Sequence, residues 1–326
     1  MRLALAFALL AAGCGDNRPG PLAWGMGVKT FDARALGLGT ADRADPWFAA
    51  IRTSPRLTVP TYDGSGQLVH PDILIEATAA GTRALLAVTP YPFTDNKFEN
   101  PSLLTSVDGM TFEPVRGAPN PLVPPPAYDH NDDPDLRRDP VSGAYELLYL
   151  ETLRPDRQTV VALRSTDLVN WTRRDAIVYD LSKGAPFIVS PAAIVDDIGH
   201  TSMFFVDLGA SSITSLEADD GMTWDSTAAT RVAIELGGVI PWHVDVIRGA
   251  HGYGMLISGY DTAFAHQNLY LATSPDLVTW TFNPTPLLDH NDLALDVSTL
   301  YRSTGAVSGD TLVVWYSMQY QQQYQP

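Results

Sequence analysis

Apolar residues in this chain come in short bursts, not along helical faces. Residues 84–89, 145–150, 201–206, 254–258 and 311–317 are runs rich in aliphatic, β-branched and aromatic side chains, each bounded by turn formers. Such runs read as buried β-strands. No segment offers a long amphipathic helix, and residues 46–52 are at most a short one. Each of the first four runs precedes, by a similar distance, a repeated turn motif. Ser106-Val107-Asp108-Gly109 with Phe112 returns as Ser165-Thr166-Asp167-Leu168 with Trp171. It recurs as Ala218-Asp219-Asp220-Gly221 with Trp224 and as Ser274-Pro275-Asp276-Leu277 with Trp280, at spacings of 59, 53 and 56 residues. An Asp-Gly or Asp-Leu turn joins two antiparallel strands, and the Asp and Ser oxygens can take the turn's backbone N–H groups. The aromatic residue can then fold back over the turn.

A unit of about 56 residues with four antiparallel strands is a propeller blade, and roughly 300 residues hold five of them. The expected fold is therefore all-β, a single five-bladed β-propeller over residues 23–318. The last unit lacks the motif, so the stretch Trp24 to Thr30 is expected to supply its missing strand. The Gln-rich end, residues 319–326, reads as a mobile tail.

Composition supports this reading and narrows the partners. The chain has 30 Asp against 7 Glu, with 25 Gly and 25 Pro, a balance that favours turns over helices. Its net charge of −16 is a poor match for nucleic acid phosphates. Residues 1–14 have one Arg, an apolar run and a small-residue exit, which together make a signal peptide. Ala11-Ala12-Gly13-Cys14 resembles a lipobox, and Cys14 is the only cysteine. The expectation is an exported chain, lipid-anchored through Cys14 to a bacterial envelope with residues 15–22 as tether, or else secreted. Membrane contact would then run only through the lipid, and the protein is expected to be a monomer.

A second repeat lies out of phase with the first. The presumed innermost strands open with His70-Pro71-Asp72, His130-Asn131-Asp132-Asp133-Pro134, Ser190-Pro191-Ala192, Trp242-His243-Val244-Asp245 and Asp296 followed by Tyr301-Arg302. In a propeller these ends converge on one funnel, where carboxylates in a partly dry site can be driven to different pKa values. With Thr89-Pro90-Tyr91-Pro92 and Glu99-Asn100-Pro101, this order of short motifs resembles the five-bladed propellers allied to glycoside hydrolase family 43 and the related families 32, 62 and 68. The likeness is greatest to a group of bacterial secreted and phage tail proteins, and it covers roughly residues 60–318. Family 43 members are inverting hydrolases with an Asp base, a pKa-tuning Asp and a Glu acid. The resemblance implies Asp72 as base. No Glu opens the third or fourth blade, so Asp245 is the expected acid, with Asp133 as the tuning group and Glu99 in reserve.

That mechanism requires the Asp72 and Asp245 carboxyls to stand roughly 6.5–9.5 Å apart, leaving room for a water. The partner would be a glycan. His70, His130 and His243 would meet sugar hydroxyls or hold a central cation or water cluster. Tyr91, Tyr128 and Trp242 would stack on sugar faces, and Glu99 and Asn100 would either bind sugar or brace their loop. Arg302 would pair with Asp296 or Asp245, or meet an acidic sugar. No cofactor is required and no metal ligand is assigned, although a channel cation such as calcium stays open. The repeated Asp-His-Asn-Asp at 129–132 and 289–292 lacks an EF-hand loop and reads as two turns. The alternatives are a non-catalytic glycan-binding or adhesion propeller, a polysaccharide lyase and a glycoside phosphorylase.

Overall fold

The computed structural model describes residues 21–196, 200–219, 221–293 and 295–322. The expected leader, Cys14, most of the tether and residues 323–326 lie outside the described residues. No helix among them is long and apolar enough to cross a membrane.

The chain is all-β. Strand β1 (Leu22–Asp32) is followed by a one-turn helix, α1 (Pro46–Ala50), and the short β2 (Ser54–Leu57), which pairs with β1. Three separate antiparallel sheets of four strands come next. The first has β3 (Leu68–Thr78), β4 (Gly81–Pro90), β5 (Ser102–Ser106) and β6 (Glu113–Pro114). The second has β7 (His130–Arg138), β8 (Tyr145–Leu153), β9 (Arg157–Ser165) and β10 (Thr172–Asp180), and the third has β11 (Ile188–Val195), β12 (Thr201–Asp207), β13 (Ser212–Ala218) and β14 (Thr230–Arg231). Then β15 (Ile240–Gly249), β16 (Gly252–Tyr260), β17 (Gln267–Ser274) and β18 (Thr281–Leu288) form a fourth antiparallel set. The last strands, β19 (Val297–Ser308) and β20 (Thr311–Gln321), join β1 and β2. One parallel bridge, Gln267 to Thr299, merges these last two sets into an eight-stranded sheet.

The apolar runs found in the sequence are the second strands of these sets, and their position explains their composition. Each is covered on both faces, so alternate residues enter different apolar layers. Leu147 and Tyr149 of β8 pack with Leu85 and Leu103 of the preceding sheet, whereas Leu148 and Leu150 pack with Met203 and Phe205 of the next. On β20, Leu312 and Val314 join Leu256 and Leu271, while Val313 and Trp315 join Leu86 and Val88 of the first sheet. The final sheet thus packs against the first.

The turn motif behaves as its chemistry demands. Asp167 Oδ1 accepts from the backbone N–H of Val169 (2.9 Å) and Asn170 (2.8 Å), while Ser165 Oγ accepts from Leu168 N (2.9 Å). The indole N–H of Trp171 folds back onto the Leu168 carbonyl at 3.0 Å, and Trp280 repeats this contact with Leu277. Where two copies use Gly109 and Gly221, the other two hold Leu168 and Leu277 in the same left-handed conformation (φ 65° and 64°). One expectation needs correcting. Residues 319–321 are not a loose tail, because β20 continues through them and pairs Gln321 with Leu22, with Tyr320 buried.

Candidate functional site

The strands β3, β7, β11, β15 and β19 each break register near their start. In three of them the irregularity is a left-handed residue directly before a proline: His70-Pro71 (φ 53°), Asp133-Pro134 (φ 50°) and Ser190-Pro191 (φ 58°). Proline suits a bulge because it needs no ladder partner, whereas the left-handed residue costs about 1–3 kcal/mol each time. These bulges bring His70, Asp133, Ser190, His243 and Tyr301 together at the channel mouth.

Asp133 is the hub. Its Oδ1 receives Arg302 Nη1 at 2.9 Å and lies 3.3 Å from His243 Nδ1 and 3.5 Å from His70 Nε2; its Oδ2 accepts from Ser190 N at 2.9 Å. Burial works against its charge, but His70, His243 and Arg302 hold its pKa well below the ordinary carboxylate value. His70 is pushed well below its ordinary value, chiefly by burial, so it is neutral. Its Nδ1 meets Thr89 Oγ1 at 2.9 Å, with Glu99 Oε2 at 3.5 Å. His243 Nδ1 lies 3.0 Å from Ser190 Oγ, and its buried Nε2 has no partner among the described residues. The donor atoms of His70, Asp133 and His243 all fall within 4.8 Å of one another.

A second trio adjoins the first. Glu99, His130 and Asp132 are buried with ligand-type atoms within the same distance. Burial raises Glu99 well above the usual carboxylate range. His130 sits between Asp129 and Asp132, which with Glu99 overcome burial and lift its pKa to about 10. Arg154 clamps Asp129 with two contacts of 2.8 Å.

A third trio lies one step deeper. Two residues on from His70, Asp133 and His243, the side chains of Asp72, Asp135 and Asp245 converge to within 4.8 Å. Asp72 accepts from Leu136 N and from the Thr304 hydroxyl, and Asp135 from Ala193 N. Burial, then the nearby Asp72, pushes Asp245 up to about 7. These acids border a cavity of about 210 Å³ further along the channel, lined also by Arg137, Arg248 and Gly305.

Several expectations fail on this geometry. Asp72 and Asp245 stand closer than the gap expected of an inverting pair, a spacing that points toward a retaining geometry instead. Asp133 does not tune Asp245 by repulsion: it faces the mouth and is strongly ionised beside Arg302. Arg302 pairs with neither Asp296 nor Asp245 but with Asp133, and Asp296 is exposed ahead of β19. Of the two roles open to Asn100, its contacts are those of a loop brace, its amide reaching Tyr62 and its carbonyl accepting from Asn131. Tyr128 lies outside the buried trios but is exposed ahead of β7, where a sugar face can reach its ring, with its hydroxyl on Asp156. His130, Glu99, Trp242 and Tyr91 do reach the site: Trp242 lies against His243, while Tyr91 lies against Trp24, which abuts Tyr301. The two Asp-His-Asn-Asp copies diverge. The first enters the site, and the second is a tight turn whose His290 stacks on His266.

Asp135, Asp132, Ser190, Thr89 and Tyr301 were missed as site residues. The signal for Asp135 was present, since His70-x-Asp72, Asp133-x-Asp135 and His243-x-Asp245 repeat an i, i+2 pair on one strand face.

No protein-family profile matches the chain. Among curated proteins it is similar to an A type blood N-acetyl-α-D-galactosamine deacetylase of Flavonifractor plautii, with 26% identity over 353 aligned positions. That alignment covers 89% of this chain and 45% of the relative, so the chain spans about half of the relative's length. Among solved structures it is similar to an N-acetylgalactosamine deacetylase from F. plautii in complex with blood group B trisaccharide, at TM-score 0.70 and 22% identity over 86% of this chain and 85% of that one. It is also similar to an exo-1,5-α-L-arabinanase from a bovine ruminal metagenomic library, at TM-score 0.51 and 14% identity over 78% of this chain and 97% of the other. The fold resembles that of family 43-type propellers.

Proposed function

We propose that this chain is a five-bladed propeller enzyme that removes the N-acetyl group from an amino sugar within a glycan. The observation that carries the reading is the convergence of His70, Asp133 and His243, with buried Glu99 beside His70. Two imidazoles and one carboxylate are a donor set suited to a divalent transition metal. Neutral His70, ionised Asp133 and the unpartnered His243 Nε2 fit it. A bound cation would polarise the acetyl carbonyl and acidify a water. Burial makes the Glu99 carboxylate a stronger base than an exposed one, and in its ionised form it takes the proton of the attacking water and returns it to the departing nitrogen. The C–N bond breaks, leaving acetate and a free amine. His130, held cationic, fixes Asp132 and keeps a positive charge near Glu99. The likeness to a deacetylase supports the same reading.

Fold kinship with family 43 favours a second reading, glycoside hydrolysis with Glu99 as acid. The experiment separates them. The enzyme is incubated with N-acetylgalactosamine-containing oligosaccharides, with and without a chelator, and both acetate and new reducing ends are measured. Chelator-sensitive acetate release supports deacetylation. New reducing ends without acetate would replace it with hydrolysis. Binding without either product would make the chain a glycan-binding propeller.

A further inference from the structure

Two phenylalanines sit on the surface where the backbone resists them. Phe93, 67% exposed, follows β4 with φ 52°, and Phe264, 60% exposed, follows β16 with φ 54°. A bulky residue in the left-handed region is an outlier that strains the backbone. Each phenyl also forgoes the burial that usually stabilises it. Glycine or asparagine would avoid both costs. Both loops are wired to hold this shape. Gln67 Oε1 accepts from Phe93 N and Trp24 N, each at 3.2 Å. The Asp261 carboxylate accepts from Ala263 N and Ala265 N at 3.1 and 3.0 Å, and its carbonyl accepts from Phe264 N at 3.0 Å.

Strand register fixes which face they occupy. β4 ends at Pro90 opposite Leu68, and β16 ends at Tyr260 opposite Ile240, so both loops lie at the channel mouth. The other exposed aromatics, Phe98 and Tyr128, lie on mouth-side connections too, whereas exposed Val107, Val141 and Val278 occupy hairpins at the far end. Ring contacts lead inward from Phe264 and from the loop that carries Phe93. Phe264 touches Tyr260 (5.8 Å between centroids), Tyr260 touches Trp242 (5.7 Å), Trp242 touches His243 (6.1 Å), and His243 touches Tyr301 (4.5 Å). On the other side Tyr91, two residues before Phe93, touches Trp24 at 5.3 Å, and Trp24 touches Tyr301 at 5.0 Å.

Resting on the reading of the site as glycan-processing, we infer that Phe93 and Phe264 are stacking platforms for sugar rings at the mouth of the channel. The substrate is then an oligosaccharide with units extending beyond the one that reacts, not a free monosaccharide. The apolar C–H face of a pyranose matches an exposed phenyl, and surrounding carboxylates and amides match its hydroxyl edge. The net charge of −16 selects a neutral chain over an acidic one.

The test measures binding apart from turnover. Calorimetry on a Glu99→Gln background compares free N-acetylgalactosamine with neutral oligosaccharides of about four to six units that contain it, for the native rim and for F93A, F264A, F93Y and F264Y. Each alanine variant should bind the oligosaccharide about tenfold more weakly and the monosaccharide unchanged, with tyrosine restoring affinity, at an unaltered circular dichroism spectrum. Val278→Ala, at the far end, should change nothing. Alanine variants that bind every oligosaccharide as the native rim does, or a native rim that binds none of the panel, would overturn the inference. Weakened binding in F93A and F264A alongside absent acetate release from the native enzyme would instead retain the platforms and retire deacetylation.

Discussion

The Arg302 guanidinium, with only 1% of its surface exposed, donates to Asp133 Oδ1 at 2.9 Å and stands between two layers of acids in the channel. It neutralises Asp133 above and works against the burial that raises the pKa values of Asp72, Asp135 and Asp245 below. Its Nε and Nη2 have no hydrogen-bond partner among the described residues, so its hold on the lower trio is electrostatic.

Removing that charge strands a buried carboxylate. Arg302→Met should lower stability by about 3–5 kcal/mol in urea titrations. The double variant with Asp133→Asn should recover a large part of the loss. An Arg302→Met protein as stable as the native one would show that the channel acids are already neutralised by protons.

The lower trio gives stability a definite pH dependence. Asp245 is raised to about 7, and Asp72 and Asp135 are raised in the same direction, so the folded state binds more protons than the unfolded one. Their contribution is complete below about pH 4 and is lost as pH rises toward about 7. Asp245→Asn should therefore flatten the decline of the denaturation midpoint between those limits. A decline of unchanged slope in the variant would show that Asp245 does not titrate there.

The two levels of the channel should separate chemically. Metal analysis of the purified protein is expected to find one divalent ion per chain. Asp133→Asn and His243→Ala should lose it together with at least about a hundredfold of acetate release, whereas Asp245→Asn should keep the metal. Metal that disappears with Asp245 instead would move the site to the lower trio.

Gly109 tests why the turn motif alternates between Gly and Leu. A Cβ there would lie 2.8 Å from Ile51 Cδ1 and 3.1 Å from Trp47, at φ 69°. At Gly184, φ 83°, it would meet nothing within 4 Å. Gly184→Ala should cost about 1–2 kcal/mol of left-handed strain, and Gly109→Ala clearly more, by thermal or urea denaturation. Equal losses would show that α1 yields freely.

The strands and turns were legible because their cause is local. Asp167 and its counterparts need only neighbouring amides, and β8 or β20 announces itself by being apolar on both faces. The strand from Trp24 to Thr30 could be inferred because the last unit lacked one. The site was legible only in outline. His70, Asp133 and His243 were placed at the strand openings, but their level in the channel depends on bulges, for which the sequence offers only the proline after His70, Asp133 and Ser190. Asp133 and Asp135 differ by two positions in sequence, yet one faces Arg302 and the mouth while the other faces Asp72 and Asp245. Pairing Asp72 with Asp245 joined two members of the lower level and mistook them for opposite walls of a substrate site. The tail was misjudged because glutamine content says nothing about a waiting partner strand.

The union of β1 with β20, from Leu22–Gln321 to Asp32–Thr311, joins strands at opposite ends of the chain. On a ribosome adding roughly 5–20 residues per second, β1 waits about 15–60 s for its neighbour to be made. Through that interval it offers an open edge to any other nascent strand, and the cell must keep it single until β20 arrives.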